Sequence, residues 1–594
     1  MPMYRRHVVR GLAMSGAALT LRNARASNGE LRPGLRPELF GPHFNLAISR
    51  MPANITGNRS WAYAINGSFP APLLRWREGD DLTINVTNNL SESTSIHWHG
   101  IRVPNPMDGV PGLDFPGIAP GETFVYRFPV RQYGTYWYHS HTGYQEQKGH
   151  RGPLVIERRD EPIKADRDYV VMLTDWSDVD PRVIASNLKK DSGYYNTHKR
   201  TVSSFVDETA QRGLVPTLKS RLMWGKMRMM ATGIAGVTGY TYTYLLNGLP
   251  PATNWTGLFR AGERIRLRFI NGSAMTYFDI RVPGLKMTVV QADGNDVDPV
   301  TVDELRIAVA ETYDVIVQPE QDIAYTIFAQ SEDRSGYARG TLAPRVGMAG
   351  PVPPMDPRPL RTMLDMAMPM MNKGQWGESR PNLTRMGGME KMAGGMAKGM
   401  KKMKPGMPIS EKITGGHPAV MAPDPDKPHM SYEVQTVAKM PTERLASAGD
   451  ALNHLGRRVL TYADLRALYR GSDPRPPSRE IVLHLTGNMK RFIWGFNGKK
   501  FSQAEPIRLR LGERVRFRLI NDTMMAHPIH LHGLWMELEN GKGMHRPYKQ
   551  TIGVAPGEEL CHLVTADTPG HWAYHCHLLY HFEEGGMFRT VLVS

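Results

Sequence analysis

The chain has 594 residues, of which 41% are hydrophobic and only two are cysteine. This length is too great for one hydrophobic core, so three or four domains are expected, and disulfides are not expected to stabilise them. The formal net charge is +16, and it falls to +11 once the five arginines of residues 1–26 are removed, because that stretch has no acidic residue. No basic helix and no interleaving of basic with aromatic residues accompanies this charge, so we expect no nucleic-acid binding.

Residues 1–26 have the pattern of an export signal. A basic stretch containing the pair Arg5-Arg6 precedes a short apolar run over 11–21, and residues 24–26 are Ala-Arg-Ala, a small-x-small cleavage site. The paired arginines indicate the twin-arginine route; an ordinary secretory signal or a basic tail is the alternative. The apolar run is too short to span a bilayer and no later segment is apolar enough. We therefore expect an exported protein without a transmembrane segment once the signal is removed.

An internal repeat organises the chain that follows. Each of three copies has an Asn-Gly turn, then a Gly-Glu or Gly-Asp turn, then a strand in which apolar residues alternate and which ends in asparagine. The copies begin at Asn66, Asn247 and Asn497, and the strands end at Asn88, Asn271 and Asn521. Many short strands separated by Gly and Pro turns are typical of β-sandwiches or barrels. The sequence therefore predicts an all-β fold.

Four clusters hold ten of the chain's 21 histidines. The clusters are His97-Trp-His99, His139-Ser-His141, His527-Pro-Ile-His530-Leu-His532 and His575-Cys576-His577-Leu-Leu-Tyr-His581. A lone His-x-His pair is more often a buried, hydrogen-bonded pair, but four clusters around one cysteine predict metal binding. Alignment of the repeats puts Tyr277, Ile280 and Val282 where the third copy has histidines. The middle domain is therefore predicted to be a spacer without such a metal, and a multinuclear site is expected between the first and last domains.

Cys576 lies between two histidines on one predicted strand. Side chains alternate faces along a strand, so Cys576 points one way while His575 and His577 point the other. A thiolate with the imidazole of His581 suits copper of the electron-transfer kind, with a weak thioether such as Met587 on the axis. The two flanking histidines would serve a second site behind the strand, within a few bonds of Cys576. The other cysteine, at position 561, is expected to be a small buried hydrophobe.

The composition changes between residues 346 and 430. Sixteen of the 35 methionines lie in residues 348–430, among Gly, Pro and Lys with few residues that could form a core, which predicts a flexible linker or loose cover. Thioether sulfur suits Cu(I), and the candidate Cu(I) ligands are Met386, Met389, Met392, Met396, Met400 and Met403. An oxidation-prone linker without metal is the alternative. After it, a helical stretch over 461–469 is predicted to lead into the last domain.

Together, the motifs H-W-H-G, H-S-H, H-P-x-H-L-H and H-C-H-x3-H resemble those of the multicopper oxidases. Wider stretches are similar to the bacterial copper-resistance (CopA/PcoA-type) branch of that family: 107–112, 271–279, 289–295 and 575–581. The resemblance runs from about Phe40 to the end. It implies a periplasmic oxidase with three cupredoxin-like Greek-key β-sandwich or barrel domains. We place these at 40–160, 165–345 and 431–594, after a signal over 1–26 and with a Met-rich insertion over 346–430.

The resemblance also implies how the ligands are divided among four copper ions, one of type 1, one of type 2 and two of type 3. The type 1 ligands would be His527, Cys576 and His581; the type 2 ligands would be His97 and His530; the type 3 ligands would be His99, His139, His141, His532, His575 and His577. Spacing alone separates Cys576 from its neighbours but does not separate type 2 from type 3.

Acidic residues near these motifs are candidates for proton supply. Asp108 resembles the acid that the family keeps near the trinuclear cluster, where it would relay protons; the alternative is an aspartate that only initiates the Asp-Gly turn. Glu583 and Glu584 are weaker candidates for the same role.

Met587 stands one residue beyond the usual axial position. The family's axial methionine is ten residues after the cysteine, which in this chain is Gly586. One interpretation, which we favour, is that the preceding glycine pair bulges and returns Met587 to the axis, since glycine tolerates unusual backbone angles. The other is an axial site that is empty or filled by a carbonyl.

The expected function is an oxidase that couples one-electron oxidation of Cu(I) to four-electron reduction of O₂ to water in copper tolerance, with a periplasmic copper carrier as a further partner. Two alternatives stay open: a laccase that oxidises phenols, and a protein that sequesters copper through its Met-rich segment. The methionines favour the first and third of these hypotheses, and the complete ligand set favours the first and second.

Overall fold

The computed structural model describes Gly34 and residues 37–367, 427–453 and 455–594. The predicted signal over 1–26 lies outside these residues, and so do the candidate ligands Met386, Met389, Met392, Met396, Met400 and Met403. No helix within the described ranges is both long and apolar enough to cross a membrane.

The first unit is built from nine strands in the described chain. They are β1 (Glu38–Phe40), β2 (His43–Asn54), β3 (Arg59–Ile65), β4 (Leu73–Arg77), β5 (Asp81–Asn88), β6 (His97–His99), β7 (Thr123–Pro129), β8 (Gly134–His139) and β9 (Arg151–Glu157). They form one sheet in the order β1-β4-β9-β8-β6 and a second in the order β3-β2-β5-β7. Along β5 the side chains of Leu82, Ile84 and Val86 are buried and their neighbours are more exposed, as the alternating pattern predicts.

The second unit contains β10 (Arg167–Trp176), β11 (Thr243–Leu246), β12 (Trp255–Leu258), β13 (Ile265–Asn271), β14 (Phe278–Arg281), β15 (Met287–Ala292), β16 (Asn295–Val302), β17 (Glu304–Ile307), β18 (Thr312–Val317), β19 (Tyr325–Ser331) and β20 (Tyr337–Ala343). Its two sheets have the orders β11-β10-β13-β18-β15-β16 and β12-β20-β19-β14-β17.

The third unit contains β21 (Arg479–Asn488), β22 (Ile493–Phe496), β23 (Ile507–Leu509), β24 (Arg514–Asn521), β25 (His527–Leu531), β26 (Met536–Leu538), β27 (Tyr548–Lys549), β28 (Thr551–Val554), β29 (Glu559–Thr565), β30 (Gly570–Cys576) and β31 (Phe588–Val593). Its sheets have the orders β22-β21-β24-β29-β26-β27 and β23-β31-β30-β25-β28. The strand β13 pairs with β10 and β18 in the way that β24 pairs with β21 and β29. The predicted all-β fold and its repeat are thus confirmed.

Helices are few, and three of them interrupt the second unit between β10 and β11. They are α1 (Pro181–Lys190), α2 (Val202–Arg212) and α3 (Leu214–Lys226); a single turn, α4 (Leu579–Phe582), follows β30, and 3₁₀ turns lie at Asn105–Met107, Phe501–Gln503 and Gly543–His545. No helix was predicted over α1–α3, although α1 and α2 have start signals. The carboxylate of Asp180 accepts the backbone N–H of Arg182, and Thr201 with Ser204 forms a capping box.

Residues 461–469 form turns and a bridge, so the helix predicted there is wrong. The carboxylate of Asp464 accepts both the N–H and the hydroxyl of Thr461, which fixes a turn. Ala467 forms an isolated bridge with Val297 of the second unit, and Leu465 is fully buried. Contacts with the second unit therefore outweigh the local helical preference. Cys561 is only partly buried, because the alternation along β29 turns Leu560 and His562 inward instead.

The longer described part of the predicted linker, residues 346–367, packs against the second and third units. Arg361 is buried; its N–H donates to the carbonyl of Ala231, and its guanidinium pairs with Asp450. Met366 is also buried, in a cluster with Trp224 of α3. This part of the segment is therefore ordered structure and not the loose cover that its composition predicted.

Candidate metal centre

Cys576, His527 and His581 converge in the third unit. His527 begins β25, Cys576 ends the neighbouring antiparallel strand β30, and α4 carries His581 back toward both. The thiol sulfur lies 3.5 Å from Nδ1 of His527 and 3.8 Å from Nδ1 of His581, and these two nitrogens are 3.3 Å apart. All three side chains are buried. One thiol and two imidazoles directed at a common point are the donor set of an electron-transfer copper site.

Neighbouring side chains hold these ligands in place. The Thr523 hydroxyl lies 2.7 Å from Nε2 of His527, which leaves Nδ1 to face the thiol, and Trp494 stacks on His581 with ring centroids 4.0 Å apart. Burial lowers the pKa of His527 to about 3 and raises the pKa of the Cys576 thiol well above its usual value. The imidazole is therefore neutral and able to bind a metal, whereas the thiol needs a metal or another cation to ionise.

Met587 lies beside these ligands. It is fully buried, in the same core cluster as Cys576; its N–H donates to the carbonyl of His581, and its carbonyl accepts the N–H of Cys576, each at 3.1 Å. Gly586 adopts φ +77°, and a Cβ on Gly585 would overlap the carbonyl oxygen of His581. The glycine pair thus has the backbone freedom that the bulge requires. Axial ligation by Met587 stays a prediction.

Eight further histidines form a second group at the contact of the first and third units. They are His97, His99, His139 and His141 from the first unit and His530, His532, His575 and His577 from the third, and all are buried. Three triplets each have nitrogens within 4.8 Å of one another: His97 with His530 and His532, His97 with His99 and His139, and His141 with His532 and His575. Because β30 alternates, Cys576 joins the first group while the adjacent His575 joins the second. Every such His/Cys group found among the described residues lies in the first and third units.

The hydrogen bonds of this second group fit metal ions. Five of the histidines have Nδ1 within 2.6–3.0 Å of an oxygen: His97 with the Asp108 carbonyl, His139 with that of Ser140, His530 with that of Gln550, His575 with that of Cys576, and His532 with the Asp108 carboxylate. A carbonyl only accepts, so Nδ1 carries the proton and Nε2 keeps its lone pair. Within the described chain, Nε2 of His97, His139 and His530 has no hydrogen-bond partner. Metal-binding histidines are oriented in this way.

Several ring nitrogens of this group face one another at short distance. Nε2 of His575 lies 3.1 Å from Nε2 of His532 and 3.4 Å from Nε2 of His141, distances that neutral imidazoles accept only around a shared proton or metal. Burial, and then the neighbouring imidazoles, hold the pKa well below the usual range at His99, His139, His141, His530, His532 and His577. These rings are neutral at pH 7, so their lone pairs are available to copper.

Two buried carboxylates contact the second group. Asp108, which the sequence analysis selected, connects both units: its carbonyl is 2.8 Å from Nδ1 of His97, and its Oδ2 is 2.8 Å from Nδ1 of His532. Glu146, which the sequence analysis missed, has Oε2 2.8 Å from Nδ1 of His139, and burial raises its pKa. No spacing signal identifies Glu146, because only the turn that follows His141 folds it back.

Glu583 and Glu584 lie farther along the chain, beside α4. Burial raises the pKa of Glu583 to about 7, and Glu584 contacts Lys189 of α1 and the hydroxyl of Tyr144.

A methionine-lined patch lies beside the thiol site. Its members are Met229, Met366 and Met524, which are buried with Trp224, and Met223, Met227, Met363 and Met489, which are partly buried. Met524 follows Thr523, whose hydroxyl contacts His527, and Met489 also packs against the core cluster that contains Cys576. No sequence pattern identifies these methionines as a group, because they come from distant parts of the chain.

Comparison with known proteins gives the following matches. Three family models described as multicopper oxidase match residues 47–161, 167–344 and 474–594, one for each unit. Copper resistance protein A of Escherichia coli is 52% identical over 610 residues, with 99% of each chain covered. Among solved structures, the multicopper oxidase Fet3p has a TM-score of 0.61 at 18% identity, covering 94% of this chain and 91% of that one. A laccase from Botrytis aclada has a TM-score of 0.60 at 20% identity, with 94% and 88% covered. These structural likenesses show the fold, three cupredoxin-like units.

Proposed function

Because the chain belongs to the multicopper oxidase family and is therefore a copper-dependent oxidoreductase, we propose that it couples the oxidation of Cu(I) to the reduction of O₂ to water in copper resistance. The observation that carries the proposal is the junction on β30. There the thiol of Cys576 belongs to one buried donor group, and the adjacent His575 belongs to the other. Such a junction joins a site that accepts single electrons to a site that can deliver four together.

We propose four coppers for these two groups. The type 1 ion would be held by His527, Cys576 and His581, with Met587 on the axis; the type 2 ion by His97 and His530; and the type 3 pair by His99, His139, His141, His532, His575 and His577. Bound copper supplies the one-electron chemistry and the multi-electron reduction of O₂. The protein supplies buried neutral imidazoles, fixed tautomers and exclusion of water.

We propose that Asp108 handles protons for the trinuclear group. Its Oδ2 lies 2.8 Å from Nδ1 of His532, whereas its Oδ1 is buried, accepts no hydrogen bond among the described residues and lies 3.4 Å from Nδ1 of His97. Oδ1 is therefore the atom through which protons would pass, because its use leaves the Oδ2 contact intact. Asp108→Asn would keep that contact through its amide oxygen but would lose the acid–base group, so O₂ consumption should slow while the copper content stays the same.

The methionine-lined patch supports Cu(I) as the electron donor. Thioether sulfur is a soft ligand that suits Cu(I), and the patch adjoins the proposed type 1 site through Met524 and Thr523. The relatives named for copper resistance, which cover 99% of this chain, support the same physiological role. We further propose that the protein acts in the periplasm after twin-arginine export, and that a periplasmic copper carrier delivers its substrate.

Oxygen uptake by the copper-loaded protein tests the proposal. We expect faster uptake with Cu(I) than with a phenol, and no uptake by either route in Cys576→Ser. Met366→Leu/Met524→Leu should slow uptake with Cu(I) but not with the phenol, whereas Met287→Leu, in the core of the second unit, should change neither. Faster uptake with the phenol in the wild type would instead indicate a laccase. Copper binding without uptake would indicate a sequestering protein.

Deletion of residues 368–426 tests the remaining methionine hypothesis separately. This deletion keeps the packed residues Arg361 and Met366, so folding and phenol oxidation should persist. If Met386, Met389, Met392, Met396, Met400 and Met403 bind Cu(I), uptake with Cu(I) or copper tolerance should fall. Unchanged Cu(I) kinetics and tolerance would show that the segment is only a linker.

A further inference from the structure

The second unit supplies no member of the metal groups in the described chain, yet one of its turns reaches the second group. Asp293 lies in the turn between β15 and β16 and is fully buried. Its Oδ2 accepts the backbone N–H groups of Gln550 and Thr551 in the third unit, at 3.1 and 3.3 Å. Its Oδ1 accepts the N–H of Thr312 at 3.0 Å. The carboxylate thus ties the second unit to the short link between β27 and β28.

That link supports two of the histidines. The carbonyl of Gln550 lies 2.6 Å from Nδ1 of His530 and therefore accepts its proton. The Thr551 hydroxyl lies 3.3 Å from Nε2 of His99. His530 belongs to the third unit and His99 to the first, so the residues that Asp293 holds contact both halves of the group.

A buried charge network fixes the carboxylate. The ammonium of Lys549 lies 3.0 Å from Oδ2 of Asp293 and 2.8 Å from Oε1 of Glu311, and all three side chains are at most 2% exposed. Tyr462 donates its hydroxyl proton to Glu311 at 2.6 Å. A buried charge that loses its partner is strongly unfavourable, so the arrangement has little freedom to move.

The same turn and the start of β16 also contact the first unit. Asp296 accepts the hydroxyl of Tyr133 at 3.0 Å and pairs with Arg158 at 2.6 Å. A Cβ on Gly294 would overlap the hydroxyl of Tyr136, in the strand β8 that ends at His139. From the second unit, the Thr312 hydroxyl donates to the carbonyl of Thr135 in β8 at 2.9 Å.

We propose that Asp293 is a positioning residue for the trinuclear copper group. It lies in the second unit and holds Gln550 and Thr551, which contact His530 and His99. Thr312, which donates its N–H to Asp293, also bonds to β8 through its hydroxyl. The inference rests on the proposed function, because it assumes that the second histidine group binds copper. The middle unit would then be more than a spacer: it sets the register in which the first and third units meet. Mutation of residues that orient metal ligands typically lowers metal affinity or activity by about 10–100-fold.

Asp293→Asn in the copper-loaded full chain tests this role. The amide can still accept one backbone N–H but cannot pair with the charge of Lys549. We expect the blue type 1 absorption and the type 1 reduction potential to be unchanged, because the hydrogen bonds and ion pairs of Asp293 and Lys549 among the described residues do not involve Cys576, His527 or His581. The type 2 electron paramagnetic resonance signal should change, and copper affinity of the trinuclear group should fall about tenfold or more. Asp298→Asn is the matched control, since Asp298 is 39% exposed and pairs with Arg466.

Each outcome has a distinct meaning. A type 2 signal and copper content equal to those of the wild type would overturn the inference, and so would equal loss of type 1 and trinuclear copper with a lowered melting temperature. If Asp293→Asn does not fold, Lys549→Gln replaces it, because its amide can still donate to Asp293 but the charge that holds this carboxylate is removed. This variant should shift the type 2 signal in the same direction, and an unshifted signal would then overturn the inference. A wild-type protein without a type 2 signal would contradict the proposed function instead.

Discussion

The second and third units share one backbone plan but use it differently. The strand β25 pairs with β28 and β30, as β14 pairs with β17 and β19. Where the third unit places Ile529 opposite Cys576, the second places Asp279 opposite Gln330. Asp279 is buried and pairs with Arg306 and Arg334, both at 2.7 Å. The position of the Cys576 thiol is therefore taken by the amide of Gln330, and the residue opposite it, which is apolar in the third unit, forms a buried ion pair in the second.

This difference separates function from stability. In the third unit, a few side chains around Cys576 form the metal-binding group, and they lie in a core of apolar side chains. In the second unit, charge pairs replace ligands, and the turn at Asp293 contacts the other two units. Changes around Cys576 should therefore remove activity with little loss of stability, and changes in the ion pairs of the second unit that lie away from Asp293 should do the reverse.

The largest expected effect is the loss of activity in Cys576→Ser. A hydroxyl is a poor ligand for this kind of copper, so the intense blue absorption should disappear and O₂ uptake should fall to background. The trinuclear coppers should stay bound, because their histidines are unchanged, and the melting temperature should shift little. Copper analysis measures the bound trinuclear coppers, and absorption spectroscopy measures the loss of the blue type 1 band. Blue colour retained in this variant would show that Cys576 is not the type 1 ligand.

In the second unit, Asp279→Ala should have the opposite profile. It leaves the buried guanidinium groups of Arg306 and Arg334 without their shared partner, which typically destabilises a protein by about 3–5 kcal/mol. Urea unfolding should detect this loss, while the blue spectrum of the folded protein stays the same. Asp322→Ala is the control, since Asp322 and its partner Arg345 are largely exposed. An unfolding curve equal to that of the wild type, together with an altered blue spectrum, would contradict a stabilising role for this ion pair.

Acid should destabilise the copper-free protein through its buried histidines. Burial lowers the pKa of His527 and His575 to about 3, against about 6.5 in an unfolded chain. The unfolded state therefore binds more protons below pH 6.5, so the free energy of unfolding falls as pH falls, by about 1.4 kcal/mol per pH unit for each such histidine. Urea unfolding of the copper-free protein at pH 7, 6 and 5 measures this slope.

One variant checks the origin of that slope. His575→Gln should reduce it, because it removes one of these two buried histidines. Stability that is independent of pH between 7 and 5 would contradict the assignment of these histidines as buried and neutral.

The smallest effect is expected for Met587→Leu. The substitution nearly conserves volume and should cost less than about 1.5 kcal/mol of stability. If Met587 is the axial ligand, the type 1 potential should rise and the spectrum should change while copper stays bound. Met536→Leu, at a fully buried position in the same unit, should alter neither. An unchanged potential and spectrum in Met587→Leu would show that the bulged loop does not return the thioether to the copper.

Local patterns in the sequence determined the strands, the threefold repeat and the membership of the histidine clusters. Alternation along β5 and β24 requires only neighbouring residues, and so does the separation of Cys576 from His575 on opposite faces of β30. Alignment of the repeats likewise showed that the second copy has Tyr277, Ile280 and Val282 where the third copy has histidines. The prediction of a helix over 461–469 was wrong, because the local helical preference competes with contacts to the second unit, such as the bridge from Ala467 to Val297.

Only the tertiary structure decided which distant residues meet. Glu146 reaches His139 through a turn, Asp293 reaches Gln550 across 257 positions, and the methionine-lined patch gathers residues from α3, from the segment before residue 367 and from the third unit. No periodicity encodes such contacts, because they depend on how whole sheets pack and not on the rise of one strand. Burial then sets the pKa values of these groups, since desolvation acts on the three-dimensional surroundings of a side chain rather than on its neighbours in sequence.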